Sequence, residues 1–563
     1  MNREIPVVNP TMELADCRDK WTFDEEYRCW CMEDVLYTAK ADVPQFQRLS
    51  IFVPEAYMNA DGTIRPDGRS GGYTSATAPV VFENNAAGYM QMPHTWLGGP
   101  RNYAKQYLDH GLVYVTCGCR GRESRNAQGE PVGKSPITLV DFKTAIRFLR
   151  HNANVLPGDP NRIVSVGWSA GGAMSSLLGV SGDNAQFNAY LEENGAFMDE
   201  SDSVYAAQIY CPIVDLEHAD MACEWMLEVD DLCEDSPAGP SEVRTPFKRA
   251  LSAVLRAEYA DCVNSLSLRD PDTGALLTLN RDGRSGSFYD YMMARLGDSA
   301  TDFLSRLEAG RLPEKYLAED YLAGRYMRKV PAPKPKPAQD PGMHHAGPDV
   351  ALEAERPMTL GEMLTRPPKG VPFVERAPET VDVPGTDKRG WLSWDGQRAA
   401  VSDLDAYVLN HRRRMKPCTS FDKLLCDSGE NHLFGNAQHD YVHFGAGIAG
   451  AIAQLRDEFP EECARYDGEF DGLEEDAALQ RKIALVNPMR FIGPNDRSVQ
   501  AKHYRIRVGA SDADTSLSIS MTLALRLANA GCGTVDYAMV WDQPHSEADY
   551  PGEVLDWIDR VCW

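Results

Sequence analysis

The chain lacks any apolar run long enough to cross a bilayer, and its first residues (MNREIPVVNPTMELADCRDKW) lack the apolar core of a signal peptide. With Met1 as the native start, these absences predict a cytoplasmic protein with no membrane partner. Excess positive charge is missing too. Fifty-seven Lys and Arg stand against 83 Asp and Glu, for a formal net charge of −26. Nucleic acid and anionic membrane would be repelled, so neither is an expected partner. No Cys-x-x-Cys occurs, and the fourteen cysteines are scattered, with only Cys29/Cys31 and Cys117/Cys119 closely spaced. That usage predicts reduced, largely buried thiols rather than a disulfide framework or a zinc cluster.

What is present is ordinary for a globular protein: 43% hydrophobic and 25% charged residues over 563 positions. Such a length exceeds one simple core and predicts two domains, or one domain with a large insertion. The first ~210 residues alternate strand-like and helix-like stretches. Leu49–Pro54, Ala78–Phe82 and Leu112–Cys117 read as strands. Pro136–His151 places Leu139, Phe142, Ala145, Ile146 and Leu149 at helical spacing. Arg162–Val166 and Val204–Tyr210 read as further strands. From 214 to 485 the pattern turns mainly helical, with a Pro-rich excursion near 330–395 that includes Pro331–Pro337 and reads as a surface or partly disordered segment. The α/β rhythm resumes at Tyr504–Val508, a helix at Leu517–Asn529, Val535–Trp541 and a helix at Glu553–Cys562. The expected domains are therefore 1–213 and 486–563, forming one sheet, with 214–485 as an inserted lid.

Gly167-Trp168-Ser169-Ala170-Gly171 carries the chemistry. A β-branched run precedes it and a small-residue helix follows. A serine on a sharp strand-to-helix turn is a nucleophile elbow, and the flanking glycines leave room for strained backbone. Such a serine needs a histidine to take its proton and a carboxylate to orient that histidine. On an α/β-hydrolase fold these follow late strands, in the order Ser, Asp or Glu, His. Asp512 and Asp514 follow the strand ending at Val508, and His545 follows the strand ending near Trp541. The residues alone leave both aspartates open, since either could instead form a turn. The oxyanion hole is expected from the backbone N–H of Ala170 plus one from the loop 83–89, where Gly88 and Ala87 both qualify. The expected architecture is thus a mostly parallel sheet flanked by helices, with a large, mainly helical lid insertion.

Three other motifs carry less. Gly445-x-Gly447-x-x-Gly450 has the dinucleotide spacing but no convincing βαβ strand before it. Asp467, Glu469, Asp471 and Gly472 imitate the start of a calcium loop, yet its twelfth position is Ala478 rather than glutamate. His344-His345 has no partner ligands. No metal site and no cofactor are expected.

With elbow, aspartate loop and histidine loop in place, the chain resembles the bacterial tannases, gallate-ester hydrolases of the α/β-hydrolase fold. The stretches carrying the likeness are GDPNRIVSVGWSAGG (158–172), YCPIVDLEHADMACEW (210–225), SFDKLLCDSGENHLFGN (420–436), HYRIRVGASDADTS (503–516) and WDQPHSEADY (541–550). The likeness thins at the N-terminus and around 310–400. It implies Ser169, Asp512 and His545 as the triad. It also implies that Lys416, Glu430 and Asp514 grip the three hydroxyls of a galloyl ring. Carboxylates accept from phenolic O–H groups and an ammonium donates to a phenolic oxygen. A site built to bond hydroxyls rejects rings without them. Trp168 and Pro544 stand where fungal tannase and feruloyl esterase relatives carry a cysteine pair, in keeping with the bacterial type. The implied activity is a serine esterase acting on a small aromatic ester. Alternatives on the same scaffold are a feruloyl or general carboxylesterase and a catalytically silent polyphenol-binding protein. A prolyl-oligopeptidase-like peptidase is disfavoured because no N-terminal propeller repeats are found. Nothing in the sequence fixes an oligomeric state, and a monomer suffices.

Overall fold

The computed structural model describes residues 7–99, 101–231, 245–314, 316–331, 380–426, 429–436 and 438–563. Residues 332–337 and His344-His345 lie outside the described residues, as does most of the expected 330–395 excursion. Nine strands make the main sheet: β1 (Thr22–Asp24), β2 (Cys29–Leu36), β3 (Arg48–Pro54), β4 (Val80–Asn84), β5 (Val113–Cys117), β6 (Ile163–Trp168), β7 (Ala206–Tyr210), β8 (His503–Gly509) and β9 (Thr534–Val540). Their spatial order is β1-β2-β3-β5-β4-β6-β7-β8-β9. From β5 to β9 every pairing is parallel, while β1, β2 and β3 add an antiparallel edge.

The central strands β4, β5 and β7 are buried along their whole length, which is why they read as near-continuous apolar runs rather than alternating ones. Helix Ile137–His151 is buried from Thr138 to Leu149, and helix Ala170–Val180 along its entire length. The latter consists of small and apolar residues, so it packs directly on β6 and β7. The expected strands and helices of the sheet regions are present to within two residues at nearly every end. The antiparallel edge β1–β2 was not among them. The register of β2 against β3 shifts between Met32 and Val35, where Glu33 and Asp34 interrupt the alternation.

Between β7 and β8 the chain leaves the sheet and builds mainly helices, including Leu216–Leu227, Pro246–Ser265, Ser287–Glu308, Leu404–His411 and Ile448–Leu455. Two short antiparallel pairs accompany them, Met327–Pro331 with Thr380–Pro384 and Leu392–Trp394 with Ala399–Val401. Pro246–Ser265 packs on Leu216–Leu227, and Ser287–Glu308 packs on β9. Gly447 caps helix Ile448–Leu455, and among the described residues the element before it is the short helix Asn431–Leu433, not a strand. No described helix is long and apolar enough to cross a membrane.

Candidate active site

Ser169 sits where β6 turns into helix Ala170–Val180, with φ 59° and ψ −125°. A non-glycine residue in this region is strained, and the strain is held by the surroundings. Its N–H donates to the Tyr210 carbonyl at 3.1 Å, and its carbonyl accepts from Ala173 at 3.0 Å and Ile213 at 3.2 Å. The glycines are there for space. A Cβ on Gly167 would lie 2.3 Å from the Gly171 carbonyl oxygen, and one on Gly172 would lie 2.3 Å from that of Tyr210.

His545 Nε2 lies 2.9 Å from Ser169 Oγ, and His545 Nδ1 lies 2.8 Å from Asp512 Oδ2. The second carboxylate oxygen, Oδ1, accepts the Asp514 N–H at 2.9 Å. Asp512 is fully buried. Burial disfavours a charged His545, but the Asp512 carboxylate more than offsets this and raises the imidazole's proton affinity. A charge left in so dry a position needs its partner, and the imidazole is that partner. Asp514 instead extends its side chain 3.7 Å from Lys416 Nζ. The two aspartates thus part company: one faces the histidine, the other the lysine.

A cavity of 220 Å³ is lined by Gly88, Tyr89, Ser169, Ala170, Ile213, Lys416, Glu430, Asp514 and His545. The serine, the histidine and all three expected hydroxyl-reading residues meet in this one space, although they are scattered over four separated stretches of sequence. Gly88 and Ala170 border it, whereas Ala87 does not. Lys416 Nζ rests 4.2 Å from the centre of the Phe421 ring, which narrows its orientation.

Several residues that hold this arrangement escape a sequence reading. Arg412, fully buried, donates to the backbone carbonyls of Asp512 and Thr515, and Tyr407 donates to that of Ala510. Arg414 donates to the Lys416 carbonyl at 2.8 Å and pairs with buried Glu224. Asp220 accepts three consecutive N–H groups, Ser420, Phe421 and Asp422, at 2.5, 2.9 and 2.9 Å. Arg122 donates to the Gly88 carbonyl at 2.7 Å. In sequence these are polar or charged residues of loops and amphipathic segments, which solvent would satisfy as readily. Cys211 is also buried here, its sulfur within 4.8 Å of the Asp512 and His545 polar atoms.

The sheet order, the strained serine at a strand-to-helix turn and the histidine and aspartate after its late strands define an α/β-hydrolase. Residues 102–229 match the BD-FAE family model. A 63-residue stretch is 40% identical to the esterase LipC of Mycobacterium tuberculosis, spanning 16% of that protein's length. Solved structures match far more of the chain. The tannin acyl hydrolase of Lactobacillus plantarum is 30% identical, with 95% of this chain and 94% of that one covered at a TM-score of 0.71. A tannin acyl hydrolase in complex with ethyl gallate is 31% identical over the same shares, TM-score 0.70. The Fusobacterium nucleatum tannase is 29% identical, with 95% of each chain covered, TM-score 0.69. The chain belongs to the bacterial tannase (tannin acyl hydrolase) family of carboxylic ester hydrolases.

Proposed function

We propose that this protein is a serine esterase that hydrolyses galloyl esters to gallic acid and an alcohol through an acyl-enzyme. The observation that carries the reading is the single 220 Å³ cavity in which the Ser169–His545 couple faces Lys416, Glu430 and Asp514. His545 Nε2 takes the Ser169 proton as Oγ attacks the ester carbonyl carbon, and Asp512 stabilises the imidazolium. The oxyanion accepts from the backbone N–H groups of Ala170 and Gly88. The tetrahedral intermediate collapses when His545 returns the proton to the departing alkoxide. Water, deprotonated by the same nitrogen, then releases the acid and regenerates Ser169. No step calls for a metal or cofactor.

Acyl specificity follows from the other wall. Glu430 and Asp514 accept from phenolic hydroxyls and Lys416 donates to a phenolic oxygen. Lys416 and Glu430 arrive from the 214–485 insertion, read here as the lid, and Asp514 from the sheet. The ethyl gallate held by one relative supports a substrate of this class. Most of the described cysteines are buried, in keeping with thiols that act as small apolar residues in a reducing, cytoplasmic setting.

The test compares kcat/KM for methyl gallate and methyl ferulate. Gallate should be preferred at least tenfold, and Ser169→Ala should lose turnover by at least three orders of magnitude while staying folded. A preference for ferulate would move the assignment to hydroxycinnamoyl esters. Failure of a fluorophosphonate to label Ser169 would remove the nucleophile altogether.

A further inference from the structure

Among the described cysteines only Cys262 and Cys426 are not buried. Cys262 stands near the end of helix Pro246–Ser265, which packs on helix Leu216–Leu227. Backbone inside a helix is covered by its own turns, so the accessible part of Cys262 is its side chain.

Across this helix pair the thiol is hydrogen-bonded to His218. The imidazole's other partner is a carboxylate, with His218 Nδ1 2.8 Å from Asp215 Oδ1. Asp215 is itself fixed, since the same oxygen accepts from Asn487 Nδ2 at 2.7 Å. Cys262, His218 and Asp215 thus repeat the order of Ser169, His545 and Asp512: nucleophile, imidazole, orienting carboxylate. The repeat lies apart from the catalytic cavity, whose lining includes none of the three. The His218 side chain is 28% exposed and that of Asp215 only 9%. Solvent therefore reaches the imidazole while the carboxylate behind it is nearly dry.

The electrostatics favour attack by sulfur. Burial opposes a charged His218, but Asp215 and Cys262 more than offset this and push its pKa up to about 11. The ring therefore holds its proton at neutral pH, and a cation beside a sulfur favours the thiolate, the form that attacks. Carboxylates that would oppose a thiolate are engaged elsewhere. Glu217 pairs with Arg490 at 2.8 Å and accepts from Asn487 at 2.6 Å, while Asp261 pairs with Arg281 at 2.7 Å. Glu258, one turn before Cys262, accepts from Gln454 at 3.3 Å and is pushed by burial toward its neutral form.

We propose that Cys262, held by His218 and Asp215, is a second nucleophilic centre and a site of modification by small electrophiles, hydroperoxides foremost. With hydrogen peroxide, Sγ attacks one oxygen and the O–O bond breaks. The departing hydroxide takes the proton from His218 and leaves as water. Sulfur gives up two electrons and becomes a sulfenic acid, while the peroxide is reduced. The centre is independent of the esterase reading.

Iodoacetamide labelling of the full chain at pH 6.5, mapped cysteine by cysteine by mass spectrometry, tests it. About 1% of an ordinary thiol is ionised there, so full ionisation adds up to about 100-fold, of which the weaker nucleophilicity of an acidic thiolate leaves roughly tenfold. Cys262 should therefore be labelled about tenfold faster in the folded chain than in the same chain unfolded in urea. An ordinary thiol is slowed by folding. His218→Gln and Asp215→Asn should each remove the folded chain's advantage at pH 6.5. At pH 9.5, where ordinary thiols ionise as well, both variants should be labelled at least as fast as the wild type. The wild-type comparison needs no variant, so it holds even if neither folds. Hydrogen peroxide added with dimedone should leave the sulfenic-acid adduct on Cys262. Folded labelling no faster than unfolded, variants slowed equally at both pH values, or no dimedone adduct on Cys262 overturns the proposal. Methyl gallate hydrolysis enters none of these readouts, so the acyl assignment stands or falls separately.

Discussion

Arg122 ties two loops of the catalytic cavity together through Gly88. Its Nη1 donates to the Gly88 carbonyl at 2.7 Å, and the same nitrogen lies where a Cβ on Gly429 would come within 1.8 Å. One guanidinium therefore fixes the loop after β4 against the segment carrying Glu430. Hydrogen bonds to charged donors contribute about 1.5–3 kcal/mol, or roughly 10- to 150-fold in rate. Arg122→Met should lower kcat for methyl gallate by that order, with KM changing much less, because the contact steadies the loop whose Gly88 N–H is proposed to receive the oxyanion. Arg122→Lys should recover part of the loss. Unchanged kcat in the methionine variant would show that the loop holds itself.

Lys416, Glu430 and Asp514 invite a different measurement, since their proposed role is to read hydroxyls. Glu430→Gln keeps size but gives up the charged acceptor, so about 10- to 100-fold in kcat/KM for methyl gallate should be lost. Methyl benzoate, which has no ring hydroxyl, should lose less than about threefold. Equal losses on the two esters would mean that Glu430 supports the cavity without reading the ring.

The elbow was legible because it is local: a β-branched run, Gly167 to Gly171 and a small-residue helix follow one another in the chain. The loops holding Asp512 and His545 were legible through the order of strands. Residue chemistry alone did not separate Asp512 from Asp514, and the separation is tertiary. Asp512 is buried under His545 while Asp514 reaches Lys416. Arg412, Arg414 and Arg122 were invisible for the same reason. A charged side chain in a loop carries no sign of whether water or a distant carbonyl satisfies it. The β1–β2 edge was missed because Glu33 and Asp34 sit in a bulge, which breaks the alternation that marks a strand.

The Arg414–Glu224 pair separates stability from positioning. Both side chains are essentially inaccessible, at 1% and 0% exposure. Removing one partner strands the other charge in the interior, so Arg414→Met should cost about 3–5 kcal/mol. The double change Arg414→Met with Glu224→Leu should recover most of that stability, because an apolar pair of similar volume avoids the desolvation penalty. It should not recover KM for methyl gallate, since Arg414 also anchors the Lys416 carbonyl. Thermal melts and kinetics on the three variants decide the point. Joint recovery of stability and KM would make the anchoring contact irrelevant.

His411 sets an acid limit on the fold. It stacks on Trp541 with ring centroids 4.4 Å apart, and its Nε2 lies 3.1 Å from Ser511 Oγ, one residue from Asp512. Burial, with Lys388 and Arg328 nearby, lowers its proton affinity to a pKa of about 3. The folded imidazole therefore stays neutral where the unfolded one, near ~6.5, takes up a proton. Below that value the unfolded state binds more protons, so stability falls as the pH drops from about 6.5 toward 3. At pH 5 the loss from this residue is on the order of 1–2 kcal/mol. His411→Gln removes the titrating group and keeps a polar atom for Ser511. Between pH 7 and pH 5, denaturant melts of the variant should lose less stability than those of the wild type by that amount. Parallel losses in the two proteins would show that His411 is protonated in the folded state as readily as in the unfolded one.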